Sequence, residues 1–485
     1  MTLHPPYSPT SDKQLLLEAL AARDARLQEL EAIIARQSEV ISELQRSLGL
    51  NSRNSSKPPS SDGLGKPPAS RRDNLKGRKP GGQKGHEGKT LLRSETPGHV
   101  EHHYPRGCVH CGHTLDEGMS VRIETRQVRD IPDPSPLIVT DHIAHVRTCP
   151  HCKLETKAPF PKGVEAPVQY GPNLTAFVAY INKAQLIPMN RLAQTLLDLF
   201  GVKLSQGTIV NMVSRTAARQ LDVLGWIRNM VVDAPVKHMD ETGVRIGGKL
   251  HWLHVSGTRD MACFWIGKSR GDVMLDARGI AIHDCWKSYD AIEGVTHGHC
   301  NAHLLRELNE LIEFRGESWA NDLLELIARA IREYNRAGGN PLSPGIIGDI
   351  FGNYDRLVAE GFRYHESQEP LPSAGKRGRK KRRRGHNLLI RLKERRDAYL
   401  LFVQNPQVPP TNNMAEQYLR FAKVEQKISG CHRSMEGAIN GTIIRSVLAT
   451  ARKRGWNLLD TLRSSPGELM ERLGAGPLVD TEPIT

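Results

Sequence analysis

The stretch His238-Met239-Asp240-Glu241-Thr242-Gly243 constrains the fold more than any other. Apolar residues of high strand propensity precede it (Val231, Val232, Val236). After it Val244-Arg245-Ile246 leads into Gly247-Gly248 and then Lys249-Leu250-His251-Trp252-Leu253-His254-Val255. That pattern predicts a strand, a Gly-Gly turn and a second strand with near-alternating apolar positions. Asp240 then stands at the edge of a sheet, where a carboxylate needs a partner or a metal to hold it.

Further strands follow. Residues 261–266 read as a third strand and 271–277 as a short helix. Residues 279–283 read as a buried strand that ends at Asp284. Two aspartates at the ends of neighbouring strands can share a divalent metal, and strand ends of α/β sheets are where ligand sites lie. Spacing alone leaves a plainer reading open, two solvent-facing strand termini, with Asp276 and Asp290 as nearby competitors. Pro409-Pro410 stop one helix, and Thr411 or Asn412 can cap the next, placing Glu416 one turn in. Cys300 and His303 open another helix. They are metal-ligand types, and we take them as structural or orienting residues. Arg433, in the loop Gly430-Cys431-His432-Arg433-Ser434, can meet phosphate.

At 485 residues several domains are expected. Residues 1–50 carry a heptad: Leu20, Leu27, Ile34, Ile41 and Leu48 are seven apart, alongside Leu16, Arg23, Leu30, Gln37 and Leu44. This predicts a coiled coil and self-association. Residues 51–97 form a basic Pro/Gly/Ser-rich linker that cannot bury a core. Residues 98–160 hold Cys108-Val109-His110-Cys111 and Cys149-Pro150-His151-Cys152, two knuckles suited to one structural Zn²⁺, with strands expected at 120–128 and 137–146. Residues 161–230 read as helical, and 191–200, Gly201 and 205–213 resemble helix-turn-helix. A core in two parts, 231–315 and 406–460, would flank a helical insertion at 316–405, with a tail at 461–485.

The formal net charge of +14 is uneven. Residues 51–95 carry eleven Lys/Arg against four Asp/Glu, and residues 376–396 carry twelve against one. The two segments together hold +18, so the rest of the chain is slightly acidic. Local basic segments on a near-neutral body predict contacts with a polyanion. Lys79 and Lys84 in the first segment, and Arg379, Lys380, Lys381, Arg382, Arg383 and Arg384 in the second, are candidate DNA contacts. No apolar run approaches a membrane helix and no signal pattern opens the sequence. The expectation is a cytoplasmic protein with no membrane partner.

Together these residues resemble the large transposase of the insertion sequence 66 family. The resemblance runs over nearly the whole chain. It is carried by the N-terminal heptad, Asn54-Ser55-Ser56-Lys57-Pro58-Pro59-Ser60-Ser61-Asp62-Gly63, Gly81-Gly82-Gln83-Lys84-Gly85-His86 and the paired Cys-x-x-Cys. Asp240-Glu241-Thr242-Gly243, Asp284 with Tyr289 and Cys300-Asn301-Ala302-His303 continue it, as do Asn387-Leu388-Leu389, Asn412-Asn413 with Ala415-Glu416, and Lys427-Ile428-Ser429-Gly430. It implies a multidomain α/β chain with an RNase H-like mixed-sheet core, and an acidic triad of Asp240, Asp284 and Glu416 that holds Mg²⁺ or Mn²⁺. It further implies cutting at transposon ends, joining of 3′-hydroxyls to target DNA, and accessory proteins of the same element. Two positions depart from the family pattern: Thr411 stands where an aspartate is usual and Gln417 where an arginine is usual. The rival expectations are a catalytically inactive zinc-containing regulator and a metal nuclease without strand transfer.

Overall fold

The structure is a computed structural model that describes residues 9–49, 93–116, 122–129, 137–369, 371 and 382–474. The described residues within 9–49, 142–195 and 204–474 make one compact unit, and those within 93–141 and 196–203 the other.

The heptad region is a single helix, α1 (Pro9–Gly49). Leu20, Leu27, Leu30, Ile34, Ile41, Leu44 and Leu48 on it are all exposed. A ribbon of β1 (Val146–Thr148) and β2 (Glu155–Lys157) brackets the second cysteine knuckle. The alternating stretches expected to be strands are otherwise unpaired among the described residues. Residues 122–129 carry no strand, and 137–146 becomes strand only at its last residue. Ile123 and Val128 lie open to solvent there. An alternating pattern makes a strand only where a neighbour supplies hydrogen bonds and a face to bury.

Four helices follow, α2 (Pro172–Lys183), α3 (Met189–Phe200), α4 (Gln206–Arg219) and α5 (Leu221–Asp233). Gly201 closes α3 with φ at 66°, and the Ser205 hydroxyl caps α4 by accepting from the Thr208 amide at 3.0 Å. Val231 and Val232, expected in a strand, belong to α5. Val223, Ile227 and Val231 recur every four residues and are buried as one face, so tertiary burial overrides their strand propensity.

The central sheet holds β3 (Val236–Ile246), β4 (Lys249–Gly257), β5 (Ala262–Gly267), β6 (Gly279–His283) and β7 (Val295–His299) in the order β5-β4-β3-β6-β7. β3, β4 and β5 are antiparallel neighbours, while β6 and β7 run parallel to β3. This mixed five-stranded sheet fits the RNase H-like expectation. Gly247 and Gly248 turn β3 into β4 with φ values of 55° and 79°, which residues with side chains rarely adopt. Residues 271–277 form turns instead of the expected helix. Asp272 Oδ2 accepts from the Lys268 and Ser269 amides at 2.7 and 3.1 Å, and such local side-chain bonds compete with a helix.

After β7 come α6 (Asn301–Arg315), α7 (Ser318–Ala337), α8 (Pro344–Glu366), α9 (Arg384–Glu394), α10 (Arg396–Tyr399), α11 (Leu401–Gln404) and α12 (Asn413–Ser429). The order ends with α13 (Met435–Lys453), α14 (Leu458–Arg463) and α15 (Pro466–Gly474). α6 to α9 bury Leu308, Trp319, Leu323, Tyr354 and Leu389 in one cluster with Ile282 of β6. α12 lays Ala415, Leu419 and Ala422 on Val244, Leu253, Val255 and Phe264. α13 protects the edge strand. Ser446 and Thr450 accept hydrogen bonds from the Phe264 and Ala262 amides at 2.9 and 3.2 Å, so β5 offers fewer free donors to a foreign strand. Among the described residues no helix is long and apolar enough to cross a membrane.

Candidate active site

β3 pairs with β6 through Val236–Ile280, Lys237–Ala281 and His238–Ile282. Carried two residues further, that register sets Asp240 alongside Asp284, the first residue beyond β6. Parallel strands lie about 4.8 Å apart, which brings Asp284 close enough for its charge to act on Asp240. Asp240 is not at the edge as the sequence suggested. It lies on the middle strand, paired to Val255 of β4. β3 (Val236–Ile246) outruns β6 (Gly279–His283), and Asp240 lies on the part of β3 beyond their pairing. The Asp284 carboxylate accepts from the Trp286 amide at 3.0 Å, and Asp240 accepts from the Glu241 amide at 2.8 Å.

Glu416 arrives from the first turn of α12. Asn412 is the cap residue, yet its side chain makes no capping bond. Its amide donates instead to the Met239 carbonyl at 2.7 Å, its Oδ1 lies 2.9 Å from His238 Nδ1, and its backbone N–H meets Cys300 Sγ at 3.1 Å. Further along, Gln426 donates to the Gly243 carbonyl at 2.8 Å, so α12 runs beside β3 in the same direction. Asn301 fastens the start of α6 to the approach of α12 by two bonds to the Pro410 carbonyl, at 3.0 and 3.1 Å. The helix carrying Glu416 is thereby tied to the residues just before Asp240.

The electrostatics follow from this crowding. Burial first, and then the charges of Glu241, Asp284 and Glu416, hold the Asp240 carboxyl well above its ordinary range against one backbone N–H that favours ionisation. Burial also raises Glu241, while the Tyr289 hydroxyl and Arg270 favour its charge. Arg270 donates to Glu241 at 2.6 Å, lies 3.4 Å from Asp284, and packs its guanidinium 3.8 Å from the Trp286 ring and 5.4 Å from that of Trp252. Arg306 lies 3.7 Å from Glu416 Oε2, and His303 Nδ1 lies 3.9 Å from Oε1. Asp240 has no ion-pair partner among the described residues, and Glu416 Oε1 is buried without a hydrogen bond. Crowded carboxylates with oxygens to spare fit a hard divalent cation.

Cys108 and Cys111 fall in one unit and Cys149 and Cys152 in the other, and each pair is described by itself. In both, backbone N–H groups of the knuckle lower the first thiol, Cys108 or Cys149, below its ordinary range. Arg382 and Arg384 are exposed, Arg383 is half-buried, and Arg384 pairs with Glu310 at 2.8 Å. Arg433 is exposed beside the β3–β4 turn, where the His432 carbonyl accepts from Gly247. Lys79, Lys84, Arg379, Lys380 and Lys381 lie outside the described residues. A cavity of about 780 Å³, lined by Asp290, His297, His299, Tyr354 and Arg395 among others, includes none of the three central carboxylates.

Sequence reasoning passed over Arg270, Arg306 and the bridging role of Asn412. Arg306 was findable, because it stands one helical turn after His303. Arg270 comes from an irregular loop and carried no such signal.

The family described as "Transposase IS66 family" matches residues 167–440 by its sequence model. A second, described as "Family of unknown function (DUF6444)", matches residues 6–91. A curated relative from Sinorhizobium fredii (strain NBRC 101917 / NGR234), named "Uncharacterized protein y4hP", is 23% identical over 393 residues, which cover 72% of this chain and 68% of the relative.

Proposed function

Because the chain belongs to the IS66 transposase family, we propose that it cuts phosphodiester bonds at the ends of its insertion sequence and joins the freed 3′-hydroxyls to target DNA. The observation that supports this reading is that the charges of Asp284 and Glu416 both act on the buried Asp240 carboxyl, in line with the β3–β6 register carried two residues further. These three carboxylates would hold Mg²⁺ or Mn²⁺. Held there, such a cation would supply Lewis-acid chemistry, which favours in-line attack by a water or hydroxyl and stabilises the leaving oxygen.

The chain's own residues do the positioning. Arg270 screens Asp284 and Glu241, and its Trp252–Trp286 sandwich fixes where that charge sits. Arg306 holds one oxygen of Glu416, which leaves the other free. Asn412 keeps the α12 and β3 contributions in step.

The remaining parts serve DNA handling. Cys108 and Cys111, and Cys149 and Cys152, would supply thiolates to structural Zn²⁺, a reading supported by the thiolate-favouring knuckles. The exposed apolar positions of α1 support pairing of protomers through a coiled coil. The basic segments around Lys79 and Lys84 and from Arg379 to Arg384, with Arg433, would contact DNA backbone. Accessory proteins of the same element and association with the nucleoid complete the reading.

The test uses purified chain, labelled DNA bearing the element's own ends, and Mg²⁺ or EDTA, with Asp240→Ala, Asp284→Ala and Glu416→Ala beside the wild type. Metal-dependent cutting with joined products, lost in all three variants, is expected. Cuts without joined products would leave a nuclease. Binding of the ends without chemistry under any metal would leave a regulator, with Thr411→Asp and Gln417→Arg as the first reversions.

A further inference from the structure

Among the described residues, Cys300 Sγ, a ring nitrogen of His303 and a carboxylate oxygen of Glu416 lie within 4.8 Å of one another. Two of these side chains end in atoms without a use. His303 Nδ1 and Glu416 Oε1 are buried and have no hydrogen-bond partner, and they lie 3.9 Å apart. Leaving such atoms unmatched away from water costs free energy, so their convergence calls for an occupant. The other oxygen, Oε2, is taken by Arg306. Cys300 Sγ already accepts the Asn412 N–H at 3.1 Å, the type of bond that steadies a metal-bound thiolate.

We propose that Cys300, His303 and Glu416 form a Zn²⁺-type site that shares Glu416 with the carboxylate group of Asp240 and Asp284. The donor chemistry makes the distinction. A sulfur, an imidazole nitrogen and one carboxylate oxygen suit zinc, whereas Mg²⁺ and Mn²⁺ prefer oxygen. Tetrahedral Zn–S and Zn–N bonds of about 2.3 and 2.0 Å put ligand atoms roughly 3.5 Å apart, so the present spacing needs only a small closure. Three protein ligands leave a fourth position for solvent. Zinc would enter by displacing the Cys300 thiol proton to solvent. Zinc that takes Glu416 Oε1 draws that carboxylate away from the hard-cation group, and the site acts as a brake on it. This last consequence rests on the transposase reading; the zinc site itself does not.

The experiment counts metal on the full chain. Wild type, Cys300→Ser and His303→Gln are loaded with Zn²⁺, freed of loose metal by gel filtration and analysed for zinc, with circular dichroism to verify the fold. The wild type is expected to retain one equivalent more than either variant. Equal zinc content in wild type and either folded variant overturns the site. Mn²⁺ binding, followed by electron paramagnetic resonance, reads the shared residue. Added Zn²⁺ should weaken Mn²⁺ binding at least about tenfold in the wild type and leave it unchanged in Cys300→Ser. Unchanged Mn²⁺ binding in the wild type overturns the sharing of Glu416. If the wild type binds no Mn²⁺ at all, the carboxylate reading and the proposed brake fail together, while the zinc count still decides the site.

Discussion

The Asn412 side chain donates to the carbonyl of Met239 at 2.7 Å, across 173 positions of sequence, and so joins the cap of the Glu416 helix to the residue before Asp240. Its Oδ1 also meets His238. Asn412→Ala removes both bonds from a fully buried place and leaves the Met239 carbonyl unpaired. A loss of about 2 kcal/mol in urea unfolding is expected. DNA cutting should fall at least about tenfold while binding of the ends is retained, because α12 loses its alignment with β3. Cutting at the wild-type rate would show that the helix is placed by its apolar face alone.

Asp240 is crowded by three other carboxylates. Asp240→Asn removes the charge that burial and those neighbours oppose. The metal-free variant should be about 1–2 kcal/mol more stable at pH 7 and inactive on DNA. A stability gain that vanishes when Mg²⁺ is added to the wild type would link the strain to the cation site. A variant less stable than wild type would show that the charged form is the better satisfied one.

Arg270 is a counter-ion to a side chain that is itself fully buried. Arg270→Ala leaves Glu241 with the Tyr289 hydroxyl as its remaining side-chain partner. Breaking a fully buried pair costs about 3–5 kcal/mol. Arg270 is 31% exposed, so solvent screening brings the expected loss to roughly 2 kcal/mol. Adding Glu241→Gln to Arg270→Ala should recover part of it, since the orphaned charge disappears. An equal or larger loss in the double variant would assign the effect to the Trp252–Trp286 packing instead.

Acid should loosen the sheet. Burial depresses His283 to about 4 and His299 to about 2, so both are neutral in the fold. The unfolded chain takes up their protons near pH 6.5, and stability therefore falls as pH drops from about 6.5 towards 4. Asp240 and Glu241 act with the opposite sign, because their raised values favour the fold as they protonate. Urea midpoints at pH 7.5 and 5 should fall more steeply in Asp240→Asn than in wild type. A midpoint independent of pH in both would mean that the two histidines are already charged in the fold.

The sequence by itself determined the local grammar of this protein. Gly247-Gly248 marked a hairpin turn, and the apolar run from Gly279 to His283 read as a buried strand. Ser205 and the Pro409-Pro410 pair marked where helices begin. These features depend on residues a few positions apart, which one chain displays directly. Depth and partnership are non-local. Val231 and Val232 are helical because α5 buries them against the sheet. Asp240 lies on the middle strand because β6 joins β3 from 44 residues downstream. Asn412 gives up its cap to reach Met239 because folding brings α12 alongside β3. Arg270 reaches Glu241 and Asp284 from a loop with no periodicity to read. Only the tertiary structure decided which charges meet, since no local propensity records an energy that exists only after the strands have paired.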